Sequence, residues 1–130
     1  MTDLYADASA LAKLLVEEPE TAALLAFVET ETSEPTSSAV VEMELTRAVR
    51  LRNPAAGAEL RELLDHMTLV PVRDRVLDLA ATLADARLRT LDAIHLASAV
   101  TIGARRMLVY DRRLAEAADA AGIAVIAPGR

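Results

Sequence analysis

Short extended runs alternate with helical repeats from one end of this chain to the other, and that alternation limits the fold more than any other feature. Residues 4–6, 35–38, 68–72, 107–110 and 123–127 read as strands or extended pieces. Between them, residues 8–17, 21–29, 39–52, 54 to about 66, 73–88, 91–102 and 112–121 carry apolar side chains at helical spacing. Strands that recur one at a time, each followed by a helix, predict a parallel α/β sheet with helices on both faces. Local signals mark the boundaries. Pro19 stops the first helix, and Asn53-Pro54 predicts an Asn cap with proline in the first turn. Thr90 reads as the cap of the helix that Gly103 closes, and Gly122 ends the last helix. In helix 73–88, Leu77, Ala80, Ala81 and Ala84 are expected on one face.

A chain of 130 residues is expected to form one domain over residues 1–130, large enough to bury a core without a covalent staple. It has no cysteine, which excludes disulfides and thiolate metal sites and suits a reducing compartment. The start, MTDLYADAS, lacks a basic stretch followed by an apolar one, so neither a signal peptide nor a membrane span is read. A cytoplasmic protein is expected. The net charge of −6 argues at first against a nucleic-acid partner. Its distribution weakens that objection: Glu17, Glu18, Glu20, Glu29, Glu31 and Glu34 fall in one stretch free of bases, leaving 14 acids against 14 bases elsewhere. That stretch reads as a solvated helix and loop. All the bases except Lys13 are arginines, whose planar fork binds two phosphate oxygens at once.

Two acids occupy equivalent places. Asp7 follows the first strand and Asp111 follows the strand at 107–110. Sites in open parallel sheets form beyond the carboxyl ends of the strands, so the two can share one crevice. Each can equally serve as the N-cap of the helix that follows. Asp92 is a third candidate. Its helix, LDAIHLASAVTI, is apolar apart from Asp92, His95, Ser98 and Thr101, which form one narrow polar stripe. A buried carboxylate is costly unless it is paired or binds metal. His95 reads as a hydrogen-bonded residue supporting such a site. The fourth acid lies in VVEMELTRA, where Glu42 and Glu44 point in different directions, and periodicity does not choose between them. Oxygen donors without histidine-rich spacing favour Mg2+ or Mn2+, ions suited to displacement at phosphorus.

YADASALAKLLVEEPE, SSAVVEMELTRAVR, LRTLDAIHLASAV and LVYDRRLAEAADAAGIAVIAPG, taken together, give a pattern that resembles the PIN-domain ribonucleases, and among them the VapC toxins, over nearly the whole chain. The resemblance implies a small parallel sheet between helix layers. It also implies Mg2+- or Mn2+-dependent endoribonuclease activity in which water activated by the ion cleaves RNA, leaving a 5′-phosphate and a 3′-hydroxyl. Carried over by position, its acidic residues are Asp7, Glu44 (rather than Glu42), Asp92 and Asp111, all catalytic and all metal ligands. Ser9 matches the small hydroxyl residue that steadies a carboxylate. One position departs from the pattern: Val109 stands where Thr or Ser is common, so a hydrogen bond supporting Asp111 is expected to be missing.

Further implications are a VapB-type antitoxin that lays a helix or tail along the toxin, a homodimer, and a heterotetramer or larger assembly with the antitoxin. The apolar faces of the first two helices are the expected docking surface. With only three aromatic residues, no stacking platform for bases exists, so RNA must be held mainly through phosphates. Arg47 and Arg50, on the Glu44 helix, and Arg112 and Arg113, after Asp111, are the candidates for phosphate contact, unless surface acids pair with them. A phospho-acceptor module needs a late lysine, and the only one is Lys13. An aspartyl phosphatase needs a second Asp at position 9, which is Ser. The remaining alternative is a PIN-fold scaffold that binds RNA or protein with weak or lost nuclease activity.

Overall fold

The computed structural model describes residues 3–83 and 85–130. Five short parallel strands form one sheet: β1 (Leu4–Ala6), β2 (Thr36–Ser38), β3 (Thr68–Val70), β4 (Arg106–Leu108) and β5 (Ala124–Ile126). Their order is β3-β2-β1-β4-β5. The chain builds outward from β1 on one side, then crosses to build outward on the other. Tyr5 aligns with Thr36 of β2 and Met107 of β4. The reversal at β1 opens a crevice beyond the carboxyl ends of β1 and its neighbours.

Side-chain alternation on the central strands divides the core. Leu4, Ala6 and Leu108 face a layer made by α1 (Ala8–Leu11), α2 (Thr21–Thr30), α3 (Val40–Arg52) and α4 (Gly57–Asp65). Tyr5, Met107 and Val109 face α6 (Thr90–Thr101) and α7 (Arg112–Ala120). The remaining helix, α5 (Asp74–Thr82), packs on α6 through Val76, Ile94 and Ala97. Every strand is only three residues long, so helix packing carries much of the stability. Leu45, fully buried on α3, illustrates the scale: truncating such a leucine to alanine costs about 2–5 kcal/mol.

Five boundaries differ from the sequence expectation. The first helix ends at Leu11 and tightens into a 3-10 turn over Ala12–Leu14. Lys13 then reaches Glu20 at 3.0 Å, and Thr21 donates its hydroxyl to the Lys13 carbonyl. The helix expected at 73–88 stops at Thr82, where the Thr82 hydroxyl turns back on the Leu79 carbonyl. Asp85 organises the following turn by accepting the Arg87 N–H, and Ala84 lies outside the described residues. Asn53 does not cap the helix after it; its amide instead donates to the Leu15 carbonyl and ties α3 to the first helix. Thr90 is the first residue of α6 and not its cap. The fourth strand sits a residue earlier than expected and ends at Leu108.

The glutamate stretch is less solvated than its composition suggests. Lys13 pairs with Glu18 and Glu20, and Arg106 binds Glu31 and Asp3 together, joining the end of α2 to the start of β1 and β4. Gly103 and Gly122 both adopt positive φ at the helix ends expected of them. Among the described residues, no helix is long and apolar enough to cross a membrane.

Candidate active site

Asp7 follows β1 directly. Its carboxylate is almost fully buried and caps α1, with Oδ1 accepting the Ala10 N–H at 3.2 Å. The Ser9 hydroxyl donates to the same oxygen at 2.7 Å. Ser9 Oγ in turn accepts the backbone N–H groups of Tyr110 and Asp111, at 2.9 and 3.2 Å. One small side chain therefore locks the ends of β1 and β4 together. Asp111 lies on the exposed rim and caps α7, accepting the Leu114 N–H at 3.0 Å. Capping and placement at a strand end were alternative readings of these two acids, and the geometry combines them.

Glu44 and Glu42 separate clearly. Val41, Leu45 and Val49 form the buried stripe of α3; Glu44 lies beside it half-buried, whereas Glu42 is exposed. Glu44 Oε1 accepts a hydrogen bond from His95 Nε2 at 2.7 Å. His95 is buried in α6, and its Nδ1 lies 2.7 Å from the Tyr5 hydroxyl. In the first turn of α6, Asp92 accepts the Arg89 N–H on Oδ2 at 3.3 Å, stabilising the helix start from within. The polar stripe of α6 is thus divided: Asp92 borders solvent, while His95 and Ser98 are buried. Leu91 and Val100 of this mainly apolar helix are exposed.

Two of the four carboxyls are shifted upward, chiefly by burial. Burial raises the Asp7 carboxyl from 3.8 to about 6, against the opposing effects of the neighbouring His95 ring and the Ser9 hydrogen bond. Asp92 is also raised, first by burial and then by the Asp111 charge, with the Arg89 N–H opposing. Coulombic effects therefore link Asp7, His95, Asp92 and Asp111 across the crevice.

Among the described residues, no three His, Asp or Glu side chains converge as a finished metal cage. The donor chemistry nevertheless fits a hard divalent ion. Each of the four carboxylates anchors one oxygen on the protein: Asp7 Oδ1, Glu44 Oε1, Asp92 Oδ2 and Asp111 Oδ1. Asp7 also takes the Ser9 backbone N–H, while the second oxygens of Glu44, Asp92 and Asp111 accept no hydrogen bond among the described residues. Val109 is fully buried against α6 and α7, and Asp111 is held instead through its helix cap and through Ser9.

Arg47 and Arg50 project from the exposed side of α3, and Arg112 and Arg113 from the start of α7. None of the four has an ion-pair partner among the described residues. Tyr5 is the residue that sequence reasoning missed. It read as a strand aromatic; the only signals were a phenol within a buried strand and a histidine interrupting an apolar helix, ninety residues apart.

A five-stranded parallel sheet with acids gathered at the carboxyl ends of its central strands defines the class. The PIN domain family profile matches residues 4–120, and the chain belongs to that family. Within it, the chain groups with the VapC ribonucleases. It is 44% identical to Ribonuclease VapC46 of Mycobacterium tuberculosis, covering 98% of this chain and 99% of that protein. It is 36% identical to Ribonuclease VapC47 of the same species, covering 97% of each. The fold matches the crystal structure of Mycobacterium tuberculosis VapC20, described as a sarcin-ricin loop cleaving toxin, with TM-score 0.78 at 17% identity, covering 97% of this chain and 100% of that one. A toxin–antitoxin complex from Klebsiella pneumoniae matches with TM-score 0.76 at 18% identity, covering 98% of each chain.

Proposed function

We propose that this protein is the toxin of a toxin–antitoxin pair and cleaves RNA with Mg2+ or Mn2+ held by Asp7, Glu44, Asp92 and Asp111. The carrying observation is the arrangement of the carboxylates, each with an oxygen fixed by the fold at the ends of β1 and β4 and on α3 and α6. Near-full-length identity to proteins named ribonucleases supports the activity. When bound, the ion would neutralise phosphate charge and lower the pKa of water.

The protein's own residues prepare that chemistry. Ser9 holds Asp7 in register with the β4 end of the crevice. Burial of Asp7 disfavours its ionised form without a cation and so couples ionisation to metal uptake. Arg112 and Arg113, beside Asp111, and Arg47 and Arg50, on the Glu44 helix, are placed to take phosphates on either side of the cleaved bond. Water is the nucleophile in this reading, so a 2′-deoxy substitution at the cleaved position leaves measurable cleavage.

The partner in this reading is an antitoxin, the kind of assembly named for the Klebsiella pneumoniae complex. An apolar cleft of about 260 Å³ lies between the first helices and α4, lined by Leu11, Leu14, Leu24, Val28, Leu63 and Met67. It offers a seat for an antitoxin helix. A homodimer, and with the antitoxin a heterotetramer or larger assembly, completes the proposal.

The test is cleavage of total cellular RNA by the purified protein with Mn2+ or Mg2+, compared with Asp7→Asn and with added chelator. Discrete cleavage lost in both controls supports the reading. Cleavage that persists in chelator, or in Asp7→Asn, refutes it. A protein that takes up no Mn2+ in calorimetry and leaves RNA intact favours the scaffold reading.

A further inference from the structure

Behind the acidic crevice, a line of buried polar groups crosses the sheet. The Tyr5 hydroxyl lies 2.7 Å from His95 Nδ1, and His95 Nε2 lies 2.7 Å from Glu44 Oε1. Tyr5 is fully buried, His95 is 1% exposed, and the Glu44 side chain is 18% exposed, so the line runs from the core to the edge of the site. The two rings also meet edge to face, with centroids 5.8 Å apart. Two more buried hydroxyls, of Ser37 on β2 and Ser98 on α6, have no hydrogen-bond partner among the described residues and lie near the Tyr5 phenol.

Proton counting orders these groups. The Tyr5 hydroxyl has one proton and two acceptor positions, and the nearby Ser37 and Ser98 hydroxyls are donors suited to the latter. Its own proton is then left for His95 Nδ1. A ring that accepts at Nδ1 must carry its hydrogen at Nε2, where it donates to the Glu44 carboxylate. Buried polar groups this well connected fix orientation because every alternative leaves one of them unpaired.

We propose that Tyr5 and His95 form a hydrogen-bond relay that orients Glu44, setting its Oε1 on the protein and presenting its Oε2 to the metal. Tyr5 and His95 are positioning residues here, acting through Glu44 and touching neither metal nor RNA. The inference rests on the reading of Glu44 as a metal ligand and adds the device that holds it. Partners of this kind, hydrogen-bonded to a ligand and not to the metal, typically govern metal affinity by about 10- to 100-fold.

The experiment measures Mn2+ affinity by calorimetry for the parent protein, Tyr5→Phe, His95→Leu, His95→Gln and Glu44→Gln. Nitrogen-15 NMR of the His95 ring in metal-free protein reports the tautomer independently of metal. Tyr5→Phe removes one oxygen and keeps the ring, so the fold is retained, and circular dichroism checks this for each variant. The relay predicts an Nε2–H ring in the parent. It predicts Mn2+ affinity roughly tenfold weaker in Tyr5→Phe and weaker still in His95→Leu. His95→Gln restores most of it, because the glutamine amide can donate from near the Nε2 position. A parent ring carrying hydrogen at Nδ1 overturns the relay. So does Mn2+ affinity within about twofold of the parent in both Tyr5→Phe and His95→Leu while Glu44→Gln loses it. Mn2+ binding unchanged in Glu44→Gln, or absent from the parent, overturns the metal reading itself and with it the purpose assigned to the relay.

Discussion

Replacing Asp7 with asparagine is expected to stabilise the metal-free protein while abolishing cleavage, and the size of the effect follows from burial. The Asp7 carboxyl is raised from 3.8 to about 6 because the folded protein withdraws it from water. One pH unit of displacement is worth about 1.4 kcal/mol, so ionised Asp7 costs the apo fold about 3 kcal/mol at neutral pH. The sign follows from linkage: with the folded value above the unfolded one, the cost is absent below about pH 4. It grows as the pH rises towards 6 and is constant above that. Asparagine keeps the acceptor for Ser9 and for the Ala10 N–H but buries an amide NH2 that needs a partner, which cancels part of the gain. A net gain of about 1–2 kcal/mol at pH 8 is expected, or roughly 3–8 °C in melting temperature for a chain of this length. The assay is a thermal melt in chelator at pH 8 and at pH 4.5. A melting temperature that falls at pH 8, or rises equally at both values, would refute the account of Asp7 as a buried charge relieved by metal.

Ser9→Ala removes the acceptor shared by the Tyr110 and Asp111 N–H groups, and should lower stability by about 1–3 kcal/mol in urea melts and reduce cleavage. Unchanged stability would mean that the two strand ends are held by other contacts. Glu44→Gln should lose cleavage, whereas Glu42→Gln, on the exposed face of the same helix, should keep it within about twofold in the same RNA assay. Equal loss in both would show that α3 presents a different face. Gly129 has φ of 84°, and a Cβ there would lie 2.9 Å from Ala23 Cβ, so Gly129→Ala should lower the melting temperature by several degrees. An unchanged melt would mean that the C-terminal turn moves away freely.

Three of the four acids were legible because each sits at a punctuation mark. Asp7 and Asp111 follow strand-like runs, and Asp92 opens an apolar helix, so local pattern and strand-end topology pointed to them. Ser9 and His95 stood out by resemblance and by interrupting an apolar stripe. Glu44 was chosen over Glu42 by resemblance alone. Helical periodicity could not choose, because the two residues flank the buried stripe of Val41, Leu45 and Val49 at angles that sequence hardly distinguishes. Boundaries failed where a side chain chose a distant partner. Asn53 looked like a cap yet bonds Leu15, and the helix from 74 was cut short by Thr82 folding back on its own turn.

What the sequence by itself determined is the alternation of strand and helix, and with it the parallel sheet and the class of its site. Those follow from periodicities a few residues long, which the local chain enforces. The tertiary structure alone decided which groups meet across the sheet. Tyr5, Glu44 and His95 come from three separate elements, and only the packing of α3 and α6 around β1 brings their polar atoms within hydrogen-bonding distance. The same closure removes water from Asp7 and so sets its ionisation, a property of the assembled fold that no local stretch of chain contains.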